Sequence, residues 1–483
     1  MRHRSSLRHT PLALVAAVVF LGLAGRARAD TIVLKNGRRI VGSNITRENG
    51  KVSCETSAGI VTVPESIVAT IEKDGAGGVS SMNPSAANLP MGPPPEVAPA
   101  TDALARSAIH DGAIDLDALA RMDAKAAGGS AEAIASAVAG EALASHFAFE
   151  HADLNSALDH AQRAASLAPT QVPLLLDVAY LHLRRAEYTA ALDALDPARR
   201  LAPDSADVAK LTGWANYGLN RLAAAISEWK HSLELHPDND LAQAIQKAEH
   251  ELEVESDFRE GDSAHFALRY YGGATPELAR GILQELESDF NDISSLLSEA
   301  PAEPITVILY TNEAFKDITR APSWVGALND GRIRIPVQGL NFVTPDLAHV
   351  LKHELTHSFI NEKTHGNCPV WLQEGMAQWV EGRRSGDAAT GLLALYNRQA
   401  DPSLAILEGS WMKLPADFAA MAYAWSLAVV EAIEANGPGD AVRLLDRMAT
   451  EPSGEAAIRS TLHMSYADLN AQAAEYLRRT YTH

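Results

Sequence analysis

The sequence predicts a multidomain chain: a small all-β N-terminal domain, an α-helical repeat solenoid, and an α+β domain that carries the chemistry. Three observations predict this. Residues 30–73 alternate apolar and polar side chains in short runs, the period of half-buried strands. Pro169, Pro203 and Pro237 recur every 34 residues, and so do Ala157, Ala191 and Ala225. The last third mixes strand-like runs with a helical stretch holding His353-Glu354-Leu355-Thr356-His357. With 483 residues and 47% apolar content, the chain has material for two or three cores, which excludes a disordered or fibrous protein.

Residues 1–10 are basic, residues 12–23 form an apolar run, and Ala27-Arg28-Ala29 precedes Asp30 as a cleavage site. This pattern predicts a signal peptide over residues 1–29 and export to the periplasm or the extracellular space. The run is shorter than the roughly 20 residues a span requires, so no stable membrane span is expected after cleavage. Removing it takes away five Arg and no acid, which moves the formal charge from -20 to about -25. Such a surface disfavours nucleic acid and anionic membrane as partners. Cys54 and Cys368 are too few for a disulfide scaffold, and two free or buried thiols are expected.

Within residues 30–73, runs at 31–34, 39–41, 52–54, 60–63 and 68–71 read as five strands of a small β-barrel or sheet. Asn36-Gly37 and Asn49-Gly50 are the hairpin turns between them. From 74 to 104 the composition shifts to Gly, Ser, Asn and Pro around Met91-Gly92-Pro93-Pro94-Pro95, which reads as a linker.

The 34-residue period across 105–255, with a Pro ending each unit and a small Ala where two helices touch, is the tetratricopeptide signature. Repeats are expected at about 138–171, 172–205 and 206–239, followed by a capping helix at 240–255. Residues 105–137 are expected to add a degenerate helix pair. Stacks of this kind present a concave surface that holds peptides or proteins, so a protein partner or part of a substrate is expected there.

Residues 256–483 are expected to fold as a separate domain. Strands are expected at 265–271, 305–310 and 331–337, with a long helix at 276–297. The strand at 331–337 alternates strictly and ends near Pro336, which reads as an edge strand open to an extended peptide.

Thr344-Pro345-Asp346 is a helix start, with an N-cap hydroxyl, Pro at the first position and an acid in the first turn. The motif beginning at His353 therefore falls in mid-helix. Residues four apart share a helix face, so His353 and His357 can present ring nitrogens to one metal ion with Glu354 beside it. Two imidazoles and a carboxylate suit Zn²⁺, and a fourth position left to water makes such a site catalytic. His349/His353 is a second pair at the same spacing, but only His353 is followed by Glu, so His349 is read as packing or as support. One class of zinc peptidase takes its third ligand from a His six residues beyond the motif, after a Gly. Those places hold Lys363 and Ile360, which excludes that class. Glu374, on a helix begun by Pro369, is the favoured third ligand, with His365 as the alternative. Gly375 would let two helices approach closely.

The pairing of His353-Glu354-x-x-His357 with Trp371-Leu372-x-Glu374-Gly375-x-Ala377 resembles the gluzincin metallopeptidases. More narrowly, it resembles the bacterial peptidase MA-like proteins that carry tetratricopeptide repeats, over residues 256–483. The resemblance implies a thermolysin-like catalytic domain, one zinc per chain held by His353, His357 and Glu374, and Glu354 as general base for hydrolysis of a peptide or protein substrate. It also implies an oxyanion donor from a later helix, for which Tyr423 in Ala422-Tyr423-Ala424-Trp425-Ser426 occupies the corresponding stretch. Thermolysin carries an Asp four residues after its Glu ligand to support a His. Here that place is Gln378, so Gln378 or Glu381 has to supply the support. The competing expectations are a catalytically silent repeat-protein adapter of the cell envelope and, more remotely, a zinc hydrolase of non-peptide substrates.

Overall fold

The computed structural model describes residues 30–34, 39–48, 50–56, 59–65, 68–72, 80–82, 91, 103–151, 153–322, 325–411, 414–451 and 453–482. The segment read as a signal peptide, the Asn36-Gly37 turn and most of 74–104 lie outside the described residues. The chain divides into two compact units, residues 1–77 and residues 78–483.

The first unit is a five-stranded sheet of β1 (Asp30–Leu34), β2 (Arg39–Glu48), β3 (Lys51–Thr56), β4 (Gly59–Pro64) and β5 (Val68–Glu72), in the order β4-β3-β2-β1-β5. Each neighbouring pair is antiparallel. The β-branched Val, Ile and Thr of these runs fit a pleated surface, which is why the alternation yields strands. Gly50 at the tight β2–β3 turn has φ +72°, a left-handed conformation that glycine adopts without steric penalty.

In the second unit, the three-residue strand β6 (Ser80–Met82) precedes α1 (Ala103–Arg106), the small hairpin β7 (Ile109–His110) and β8 (Ala113–Ile114), and α2 (Leu116–Ala126). Helices then follow in a packed row: α3 (Ala131–Glu150), α4 (Leu154–Leu167), α5 (Val172–Arg184), α6 (Tyr188–Leu201), α7 (Ala206–Gly218), α8 (Leu222–Leu235) and α9 (Asn239–Val254). The helices α4, α6 and α8 start 34 residues apart, so the period of the sequence is also a period of the backbone. Ala157, Ala191 and Ala225 are fully buried where helices touch, and a larger side chain there would push the pair apart.

The mixed segment holds β9 (Arg259–Asp262), β10 (Phe266–Tyr270), α10 (Pro276–Leu297), β11 (Ile305–Tyr310), α11 (Asn312–Thr319), β12 (Val325–Asn329), β13 (Ile333–Pro336), α12 (Pro345–Thr364) and α13 (Val370–Val380). The helices α14 (Ala389–Asn397), α15 (Ala416–Asn436), α16 (Asp440–Met448), α17 (Gly454–Leu462) and α18 (Tyr466–Tyr481) complete it. Its sheet has the order β6-β12-β13-β11-β10-β9. The strands β10, β11 and β13 run parallel, while β9 and β12 are antiparallel to their inner neighbours. The helix α12 packs on α10 and on β12. The helix α15 is long and apolar enough to cross a membrane, but 67% of its apolar window is buried within the fold, and it serves as a core helix.

Three expectations meet a different arrangement. First, β13 is an interior strand between β12 and β11 rather than an edge. Arg334 within it and Arg332 just before it are each only 1% exposed. Arg332 Nη1 lies 3.2 Å from Glu251 Oε2 and donates to Asn220 Oδ1 at 3.0 Å, and its guanidinium sits 4.3 Å from the centroid of the Tyr217 ring. Arg334 reaches Glu251 Oε2 and Asp330, each at 3.2 Å, and donates to the Tyr310 hydroxyl. The strict alternation thus records a buried ionic network, not a solvent face.

Second, residues 256–483 do not stand apart from the helical row. Glu251 and Glu255, near the end of α9, are fully buried, and Glu255 also pairs with Arg269 at 3.1 Å. Burial opposes ionisation of Asp330, yet the guanidiniums of Arg334 and Arg332 override it and hold the carboxyl well below its ordinary range. Third, the stretch read as a linker contributes β6 to the sheet, and Met91, 2% exposed, joins the apolar cluster of Leu176, Tyr180 and Trp214.

Candidate metal centre

Local capping places the site in the middle of α12. Thr344 Oγ1 accepts from the Leu347 amide at 3.2 Å and Pro345 takes the first helical position. At the other end His365 (φ +51°) and Gly366 (φ +77°) turn the chain out of the helix. His353 and His357 are therefore one turn apart on a regular helix, with ring centroids separated by 4.9 Å.

Glu374 comes from α13. An added Cβ on Gly375 would stand 2.5 Å from the Ser426 carbonyl oxygen of α15, so the two helices touch backbone to backbone there. That approach brings Tyr423 of α15 to the site, where its hydroxyl shares a hydrogen bond with Glu374.

The donor atoms of His353, His357 and Glu374 all lie within 4.8 Å of one another. Both Nε2 atoms face Glu374 Oε2, at 3.3 Å from His353 and 3.6 Å from His357. Tetrahedral ligands held about 2.0–2.1 Å from one ion are separated by roughly 3.4 Å, so the spacing fits a shared metal. All three residues are 3% exposed or less, and Glu354 is fully buried next to them. This buried group can hold a metal ion, and it is the one such group among the described residues.

The electrostatics favour a cation at this point. Burial pulls the His353 imidazolium down, but the carboxylates of Glu381 and Glu374 outweigh it and carry the group up to about 10. His357 is pushed well below its ordinary value by burial and by the charge on His353. One positive charge is thus held between two carboxylates, and a metal ion can take the proton's place.

Outer contacts orient the donors. His353 Nδ1 faces Glu381 Oε2 at 3.3 Å, and Arg383 Nε lies 2.6 Å from the other Glu381 oxygen. His349 donates from Nδ1 to the Glu381 carbonyl at 2.9 Å, which makes it a support behind Glu381. Gln378 donates to the Glu374 and Tyr423 carbonyls, at 3.0 and 2.9 Å, and so ties α13 to α15 rather than holding a His. Burial and the charges of Glu374 and Glu354 push the Tyr423 hydroxyl well up, which keeps it protonated as a donor. His365 lies outside the group at the helix end, 38% exposed by side chain and 3.8 Å from Glu187.

Two supports were not foreseen from the sequence. Gln373 hydrogen-bonds the His357 imidazole and donates from Nε2 to Asn361 Oδ1 at 3.1 Å. Asn329, at the end of β12, donates from Nδ2 to the Glu354 carbonyl and to Ser358 Oγ, both at 2.8 Å. The position of Gln373 beside Glu374 was a usable signal. Nothing local marks Asn329, which acts across 25 residues of sequence.

No family model matches this chain, and no curated protein matches it.

Proposed function

We propose that the chain is an exported zinc metallopeptidase of the gluzincin kind, akin to the peptidase MA-like proteins, with tetratricopeptide repeats that bind a protein partner or a distal part of the substrate. The observation that carries this reading is the buried cluster of His353, His357 and Glu374, with Glu354 fully buried on the same helix. Two imidazoles and one carboxylate are a zinc donor set that leaves a fourth position for water.

Zinc held by His353, His357 and Glu374 would supply a Lewis acid that lowers the pKa of a water to about 7. Glu354 takes a proton from the attacking water and passes it to the leaving amine. Tyr423, kept protonated by burial and by two neighbouring carboxylates, donates a hydrogen bond to the oxyanion that develops on the substrate. Gln373 and Glu381 fix the two imidazoles, so the ring nitrogens are aimed before substrate arrives. An intact Glu354 speaks against the silent-adapter reading, because a buried carboxylate with no task is a cost to the fold.

The test is zinc content of the purified chain and of its Glu374→Ala variant. One zinc per wild-type chain, lost in the variant, is expected. Near-stoichiometric zinc in the variant would overturn the ligand set.

A further inference from the structure

The turn between α5 and α6, the end of α7, the approach to β11 and the metal-centre helix α12 enclose a cavity of about 270 Å³. Leu219, Pro304 and Ile305 give it an apolar wall, and its charged residues are Arg185, Glu187, Glu303 and Glu362. Arg185 is committed to Glu187 at 2.8 Å, and His182 lies 2.6 Å from the same carboxylate. Glu303 and Glu362, at the rim, enter no ion pair among the described residues. Burial raises the Glu362 carboxyl above its ordinary value, and the charges of Glu187, Glu299 and Glu303 add to the effect. The cavity thus carries negative charge that the fold leaves unanswered.

The inner wall carries an unmet polar group as well. Tyr188 is 8% exposed, and its hydroxyl makes no hydrogen bond to any described residue. The oxygen lies 3.1 Å from the point where a side chain on Gly331 would begin, and both residues line the cavity. A buried hydroxyl left unpaired is a cost that a ligand donor relieves. Two unpaired carboxylates beside an apolar wall match a short chain of methylenes with an ammonium at each end, and an alkylammonium is charged at neutral pH. Its N–H groups can donate to the carboxylates and to the Tyr188 oxygen. Among the described residues no third donor converges with Glu303 and Glu362 as at the metal centre, so a bare metal ion is poorly served.

The cavity also touches the supports of the metal centre. Asn329 and Ser358 line it and are bonded to each other at 2.8 Å, and Asn329 holds the Glu354 carbonyl as well. Asn361 lines it and accepts from Gln373, which bonds the His357 imidazole. An occupant would therefore order the side chains that orient Glu354 and His357, neither of which lines the cavity.

We propose that this cavity binds a short aliphatic diamine as an effector rather than a substrate, and that its occupancy strengthens metal binding by His353, His357 and Glu374. The effector role rests on the metallopeptidase reading, whereas the diamine site does not. Ordering the supports in advance removes a cost that metal binding otherwise bears, and by linkage zinc strengthens diamine binding by the same factor.

The test titrates putrescine into the metal-free full chain at physiological salt by isothermal titration calorimetry, then measures zinc affinity by chelator competition with and without saturating putrescine. One putrescine per chain is expected. Glu303→Gln combined with Glu362→Gln is expected to weaken binding roughly tenfold or more, as loss of charge-assisted hydrogen bonds does. Tyr188→Phe is expected to weaken it severalfold while leaving Tm at or above wild type, because the lost hydroxyl had no partner. n-Butylamine, with a single ammonium, is expected to bind roughly tenfold less tightly or worse. Zinc affinity is expected to rise about fivefold or more with putrescine present. No saturable putrescine binding, unchanged binding in both variants, or displacement of putrescine by Mg²⁺ at the same concentration would overturn the site. Saturable binding with unchanged zinc affinity would overturn the effector role. A chain that binds putrescine but no zinc would overturn the metal reading and the effector role with it, while the diamine site would stand.

Discussion

Glu381 stands behind His353, with Oε2 3.3 Å from Nδ1, on the side of the ring opposite the Glu374 contact at Nε2. The imidazole is therefore clamped between two carboxylates, with Nε2 as the nitrogen turned towards Glu374 and the rest of the candidate cluster. Glu381→Ala is expected to lower zinc affinity by roughly 10–100-fold, the usual cost of losing such a partner. Competition with a chromogenic chelator reads this directly. Unchanged affinity would remove Glu381 from the site.

Gly375→Ala tests the helix contact that delivers both Glu374 and Tyr423. The new methyl would meet the Ser426 carbonyl at 2.5 Å and Val430 Cγ2 at 2.7 Å, and the first of these is backbone that cannot rotate away. Separation of α13 from α15 is expected to cost about 1–3 kcal/mol in stability and to lower zinc occupancy. Thermal unfolding with parallel metal analysis is the measurement.

Glu251→Ala removes the carboxylate shared by Arg332 and Arg334, both buried. Leaving two guanidiniums without it is expected to destabilise the second unit by about 3–5 kcal/mol. A chain beginning at Ser256 is expected not to fold stably, since Arg332 and Arg334 would lose the Glu251 carboxylate of α9 that covers them and would keep only Asp330 as an acidic partner. A soluble, cooperatively unfolding product from Ser256 onward would show that the network is dispensable.

Two carboxyls give opposite pH signatures. Asp177 on α5 is raised to about 7 by burial, so folding favours its protonated form, and that stability is full below about pH 4 and lost as pH rises towards 7. Asp177→Asn should match wild type in Tm near pH 4 and exceed it at pH 8. Burial raises Glu251 too, but Arg334, Arg332 and Lys247 override it and leave the group lowered. Its stabilisation is present above its ordinary value of 4.5 and is lost as pH falls through the lowered one, so the deficit of Glu251→Ala should shrink in acid.

That His353, His357 and Glu374 come together was legible because they obey local rules: His353 and His357 share a helix face by spacing, and Pro369 starts the helix that carries Glu374. The ends of α10 and β11 were equally legible from capping and apolar runs. What escaped were β9, β12 and the burial of β13. A period-two pattern tells which residues share a face but not whether the polar face meets water or an opposite charge, and Arg332 and Arg334 meet Glu251 from 81 and 83 residues away. Glu381 was among the expected supports but its alternative, Gln378, could be separated from it only by geometry, because both lie on or at the end of one helix.

Casein hydrolysis and bound zinc, measured together on wild type and on Glu354→Gln, bear most directly on the hydrolytic role of the centre. The variant is expected to keep one zinc per chain and the wild-type Tm while kcat/KM falls by roughly 10²–10⁴-fold or more, since the group that moves the proton is gone. A variant that hydrolyses casein at the wild-type rate, or a zinc-loaded wild type that hydrolyses no peptide bond, would contradict it.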